Sequence, residues 1–128
     1  MIMGDSIGVG VAKERPECVA YVKGGINSYQ WNNKFNNKEF ETANAIISLG
    51  SNDHPGVKSF NELLALRQSV KAEKVYWILP AIKPSIQDIV QIIAKNYGDT
   101  VLPITRLQKD GIHPSWAGYK ELAKRTKE

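Results

Sequence analysis

The chain has 128 residues, enough for one domain, and a domain of this size buries roughly two-thirds of the surface that its unfolded chain exposes. Hydrophobic residues make up 42% and charged residues 23%, ordinary globular values that exclude a disordered chain outside the Lys/Glu-rich C-terminal end. The formal charge of +4 is mild and scattered; its densest cluster, Lys120, Lys124, Arg125 and Lys127, suits the solvated end of a last helix, and no basic face interleaved with aromatics points to nucleic acid.

In chain order, Met1–Met3 is a short first strand candidate. Gly4-Asp5-Ser6 follows at once, and the small residues of Ile7-Gly8-Val9-Gly10 can turn tightly into a helix. The start has no basic stretch ahead of an apolar run, so no signal peptide is expected. No run anywhere approaches the roughly 18 apolar residues of a membrane span. The expectation is a chain with no membrane partner, cytoplasmic by default or part of a larger assembly. Val19–Val22 is a second strand candidate. Cys18 beside it is the only cysteine, which excludes an internal disulfide, and it reads as a small buried apolar residue.

Ala45–Leu49 is an apolar run that leads into Gly50-Ser51-Asn52-Asp53, where Asp53 can cap the next helix. The spacing of Phe60, Leu63, Leu64, Leu66 and Val70 predicts a helix over 57–72. Val75–Leu79 is a further strand. Ile86, Ile89, Val90, Ile93 and Tyr97 share one face of a helix over 85–97, with Gly98 as its stop. Val101–Ile104 is the last strand. It leads to the loop Asp110-Gly111-Ile112-His113-Pro114, after which Ser115 caps a helix running to about Lys124. Trp31 and Trp77 read as core, and His54 as an exposed loop histidine.

Strand and helix in alternation predict a single domain over 1–128. Its fold class is α/β, a three-layer α/β/α sandwich with a parallel sheet of about five strands. Ligands of such folds bind beyond the C-terminal ends of the strands. The three polar motifs each follow a strand, so all converge on that edge.

Their residue types define a chemistry. A Ser at a helix start lies near free backbone N–H groups, which can hold a developing oxyanion. A Ser is a weak nucleophile until a base takes its proton, and His is the usual base near neutral pH. Asp110, three residues before His113, can fix the tautomer of the ring. The Asn52 amide is an uncharged oxyanion donor. Taken singly, each motif also has a plainer reading as a cap or a polar turn. No cluster has metal-ligand spacing and no dinucleotide or phosphate-loop pattern occurs, so neither a metal nor a cofactor is expected.

Taken together, Gly4-Asp5-Ser6, Gly50-Ser51-Asn52-Asp53 and Asp110-Gly111-Ile112-His113-Pro114 resemble the first, third and fifth blocks of the SGNH (GDSL-type) hydrolases, a family of serine esterases. The resemblance runs from residue 4 to about residue 119. It implies a flavodoxin-like SGNH hydrolase fold, with Ser6 as nucleophile, His113 as base and Asp110 as its orienting acid. It also implies that Asn52 and the Ser6 N–H donate to the oxyanion. The second block departs from the family pattern. In Lys23-Gly24-Gly25-Ile26-Asn27-Ser28, Gly25 is the preferred further donor and Ser28 the alternative.

The implied activity is ester hydrolysis through an acyl-enzyme. A short chain leaves little length for lids or an acyl tunnel, so the expected substrate is a small-molecule or glycan ester, with O-acetyl groups on carbohydrate foremost. Trp116, three residues after His113, is expected near the substrate. Two other readings stand beside this one: a lipase or thioesterase for longer acyl chains, and a non-catalytic glycan-binding or structural module that keeps the fold.

Overall fold

Side chains along the strands divide between the two faces of one sheet. Ile2, Ile46 and Tyr76 form a row across neighbouring strands, and Met3, Ile47 and Trp77 form the next row on the opposite face. The computed structural model describes residues 1–127. In chain order the elements are β1 (Ile2–Gly4), α1 (Ser6–Glu14), β2 (Ala20–Val22), α2 (Ser28–Phe35) and β3 (Phe40–Ser48). They continue with α3 (Ser59–Gln68), β4 (Val70–Leu79), α4 (Pro84–Tyr97), β5 (Thr100–Pro103) and α5 (Trp116–Arg125). The strands pair in parallel in the order β2-β1-β3-β4-β5.

Each face of the sheet has its own core. α1 and α5 cover the row of Ile2, Ile46 and Tyr76 with Ile7, Val11 and Leu122. α2, α3 and α4 cover the other face with Trp31, Leu63, Leu66, Val90 and Ile93. Each such side chain contributes about 1.5–3 kcal/mol when fully buried. The architecture is the expected three-layer α/β fold. Its strand order reverses between β1 and β3, and that crevice is where ligands of doubly wound sheets bind. Among the described residues, no helix is long and apolar enough to cross a membrane.

The structure corrects several expected boundaries. β3 begins at Phe40 rather than Ala45, and β4 at Val70 rather than Val75. Phe40–Thr42 pairs with Val70–Ala72 as a two-stranded extension of the sheet. Its exposed cross-strand pair, Glu41 and Lys71, breaks the apolar run that marks the buried half. The expected helix over 57–72 therefore stops at Gln68, because Val70 is already in β4. Phe60 and Tyr97, expected on buried helix faces, are exposed. Tyr97 instead stacks on the Arg67 guanidinium, 4.3 Å from the ring centre. Cys18 is only half-buried, packed at the margin of the α1–α5 core.

α2 is an element the apolar spacing did not predict. Among its residues only Ser28 and Trp31 are buried, so there is no stripe to detect. Its signal is the capping box, in which Asn27 accepts from the Gln30 N–H and Gln30 accepts from the Asn27 N–H. Trp31 and Trp77 are fully buried, as expected. Gly98 closes α4 in the left-handed region, φ 71, and Ser115 caps α5 by accepting from the Gly118 N–H.

Candidate active site

Ser6 is the first residue of α1, directly beyond the end of β1. Asp5 caps the helix by accepting from the Ile7 N–H at 3.0 Å. This leaves the Ser6 N–H at the open turn of the helix, where backbone donors lack helical partners.

The loop after β5 carries the other two members. Gln108 donates its N–H to the His113 carbonyl at 2.8 Å, and Ser115 donates to the Arg106 carbonyl at 2.9 Å. These bonds fold the loop back so that the His113 ring faces α1. Ser6 Oγ lies 2.9 Å from His113 Nε2. On the far side of the ring, His113 Nδ1 lies 2.7 Å from Asp110 Oδ2. Asp110 is fixed by its own loop, since its Oδ1 accepts from the Ile112 and His113 N–H groups at 2.9 and 3.0 Å. The Ile112 N–H, the His113 ring and the His113 N–H hold its carboxyl down at about 2. An ionised carboxylate only accepts, so Nδ1 carries a proton, and in the neutral ring Nε2 is the acceptor for the Ser6 hydroxyl. The geometry is a connected Ser–His–Asp chain at the C-terminal edge of the sheet.

The loop after β3 carries Asn52 and Asp53. Asn52 donates one amide hydrogen to the Ile26 carbonyl at 3.0 Å, which leaves the second hydrogen of that amide to spend elsewhere. Asp53 does not simply cap the following helix. Its buried carboxylate accepts from the Ser28 N–H at 2.9 Å, the Ser28 hydroxyl at 2.7 Å and the Ser59 hydroxyl at 2.7 Å. It thereby ties the starts of α2 and α3 to the Asn52 loop.

This network distinguishes the two second-block candidates by which backbone N–H already has an acceptor. Ser28 is buried and its N–H is committed to Asp53, so it is not a free oxyanion donor. Gly25 lies in the turn closed by the Ile26 N–H on the Lys23 carbonyl, with φ 77, a conformation that favours glycine. Gly24 joins it as a candidate that sequence reasoning missed. A side chain there would stand 3.9 Å from Ser6 Cβ. Among the described residues, neither glycine N–H has a protein acceptor.

Tyr119 and Trp116 stand on α5, after the His113 loop, and His54 stands on the Asn52 loop. A methyl at Gly10 would overlap the Tyr119 ring, so the missing side chain is what lets α5 lie against α1. Burial raises the Tyr119 hydroxyl, and the charges of Asp5 and Asp110 raise it further, which puts this residue in the field of both acids. Trp116 is 74% exposed, with Lys120 Nζ 4.5 Å from its ring centre. His54 is exposed, as expected, and its Nδ1 accepts from the Gly56 N–H at 3.1 Å. Among the described residues, no group of three or more His, Cys, Asp or Glu could hold a metal ion.

The chain matches no protein-family model and no curated protein.

Proposed function

We propose that this protein is an SGNH-type serine ester hydrolase acting on small acyl esters, with O-acetyl groups on carbohydrate as its substrate class. The observation that carries the reading is the unbroken chain from Ser6 Oγ through His113 to Asp110, at 2.9 and 2.7 Å. Ser6 attacks the ester carbonyl while His113 Nε2 takes its proton. Asp110 keeps the ring in the correct tautomer and stabilises the imidazolium. The oxyanion is held by the Ser6 N–H, the N–H of Gly25 or Gly24, and the free hydrogen of the Asn52 amide. One such donor is typically worth about 3–4 kcal/mol in the transition state. The imidazolium then protonates the leaving alcohol. A water activated by the same ring clears the acyl-enzyme, and no cofactor takes part.

The substrate class rests on the surroundings. A cleft of about 320 Å³ beside the glycine turn is lined by Lys23, Gly24, Gly25, Ile26, Gln30 and Lys34. Ser6 and His113 are not in its lining, but Gly24 borders Ser6 Cβ. Ile26 is its one large apolar residue, so the cleft offers little surface to a long acyl chain. Exposed aromatic faces, Trp116 on α5 and Tyr29 on α2, offer platforms for sugar rings.

The test is hydrolysis of p-nitrophenyl esters from two to eight carbons. Wild-type protein should turn over the acetyl ester, and Ser6→Ala should not, with its fold intact. kcat/KM should not climb with chain length, because each methylene left in water forfeits up to about 0.8 kcal/mol. A steady rise through octanoyl would replace the acetyl reading with a lipase or thioesterase. Full activity in folded Ser6→Ala would remove the nucleophile.

A further inference from the structure

This inference rests on the reading of Asn52 as an oxyanion donor. Among the described residues, Lys83 is the only non-glycine with positive φ, at φ 64 and ψ 81. An L side chain in that region is strained, and such strain persists only where the surroundings hold it. Glycine would fit this position without strain. The lysine side chain has a use there that glycine lacks. Its Nζ donates to the Ser51 carbonyl at 2.8 Å and to the Asp53 carbonyl at 2.6 Å. These are the residues on either side of Asn52.

The clamp completes a frame around one side chain. The Asp53 carboxylate fixes the loop to α2 and α3. α4 presses on its other end, where a side chain at Gly50 would come within 2.6 Å of Ile86 Cγ2. The ammonium is a compact donor whose hydrogens can reach two carbonyls two residues apart, which a planar guanidinium does less readily.

We propose that Lys83 is a positioning residue for Asn52. By holding the carbonyls on both sides of Asn52, its ammonium aims the Asn52 amide at the oxyanion before substrate arrives. Donors fixed in advance need no reorganisation during the reaction, and a misplacement of about 1 Å can cost roughly a hundredfold in rate.

The experiment compares wild-type protein with Lys83→Met, Lys83→Gly, Asn52→Ala and the double variant Asn52→Ala/Lys83→Met. kcat and KM are measured on p-nitrophenyl acetate, and unfolding in urea. Lys83→Met keeps the stem and loses the donors; Lys83→Gly loses the donors and the strain together. Both should lower kcat by about tenfold or more with KM within about twofold. Lys83→Gly should do so without loss of stability, which separates aim from folding. The double variant should be no slower than Asn52→Ala alone, because no amide is left to position. In ¹⁵N-correlated spectra, the Asn52 side-chain amide should give one sharp pair in wild type and a shifted or broadened pair in Lys83→Met.

Wild-type kcat in Lys83→Met and Lys83→Gly, in a protein that Asn52→Ala slows, overturns the proposal and leaves the esterase reading standing. So does a double variant whose losses multiply. Unimpaired turnover in Asn52→Ala overturns both the donor assignment and this inference. If wild-type protein hydrolyses no ester, the parent reading fails, and an unchanged Asn52 amide pair in Lys83→Met then overturns the clamp as well.

Discussion

Asp5 is the residue whose replacement gives the sharpest physical test. It is fully buried between Gly4 and Ser6. Its Oδ1 accepts from the Ile7 N–H at 3.0 Å and lies 3.5 Å from Ser48 Oγ, while its Oδ2 has no hydrogen-bond partner among the described residues. Burial pushes the carboxyl up from 3.8 to about 6, against the pull of the Ile7 and Gly8 N–H groups and the field of His113. Between those two values the folded protein keeps a proton that the unfolded chain has released. The stability this proton gives is full below about 3.8 and is lost as pH rises through about 6. Its full size is roughly 3 kcal/mol, of which about 2 kcal/mol is present at pH 4.5.

Asp5→Asn keeps an oxygen for the Ile7 N–H, since Asn caps helices as well as Asp does, and it cannot titrate. The stability difference between wild type and this variant should therefore move toward wild type by about 2 kcal/mol on going from pH 8 to pH 4.5. Urea unfolding at the two pH values, read through the buried Trp31 and Trp77, measures it. Taking the difference cancels the other titrating groups. A difference that stays flat within the error of the extrapolation would mean that the Asp5 carboxyl is not held protonated by burial.

Three further variants carry expected outcomes. Asp110→Asn should keep the fold and lower kcat roughly 10²–10⁴-fold on p-nitrophenyl acetate, because the ring loses the acceptor that sets its tautomer. The Asp110 carboxyl, held at about 2, gives stability that is present above its ordinary 3.8 and lost only as pH falls toward 2, so acid unfolding between pH 4 and 2 should be less steep in that variant. Gly10→Ala should drive the Tyr119 ring off α1 and cost about 1–3 kcal/mol in urea unfolding, despite the better helix propensity of alanine. Trp116→Ala should leave p-nitrophenyl acetate turnover near wild type and lower the rate on acetylated oligosaccharides severalfold, measured as released acetate.

Much of this molecule was legible in the chain because its buried strands are short apolar runs and its candidate site residues lie in the loops that follow them. Ser6 and Asn52 stand just past the ends of β1 and β3, and the Asp110–His113 pair lies on the longer loop after β5, so a parallel sheet brings all of them to one edge. The half-exposed pairing of Phe40–Thr42 with Val70–Ala72 was not legible, because charged residues on its open face hide the alternation. α2 was missed because its stability comes from a cap and a single buried Trp31 rather than from a stripe. The choice between Gly25 and Ser28 turns on a hydrogen bond from Ser28 to Asp53, 25 residues away, which no local pattern encodes. Lys83 has no motif at all. Its role depends on a left-handed backbone and on two carbonyls more than 29 residues earlier in the chain.

The central claim is that Ser6 is an activated nucleophile, and covalent trapping reads it most directly. Incubation with a fluorophosphonate, followed by peptide mapping by mass spectrometry, should place a single adduct on Ser6. Ser6→Ala should take up no label, and His113→Ala should be labelled far more slowly. A folded wild-type protein that remains unlabelled, or that carries its adduct on another residue, would contradict the account.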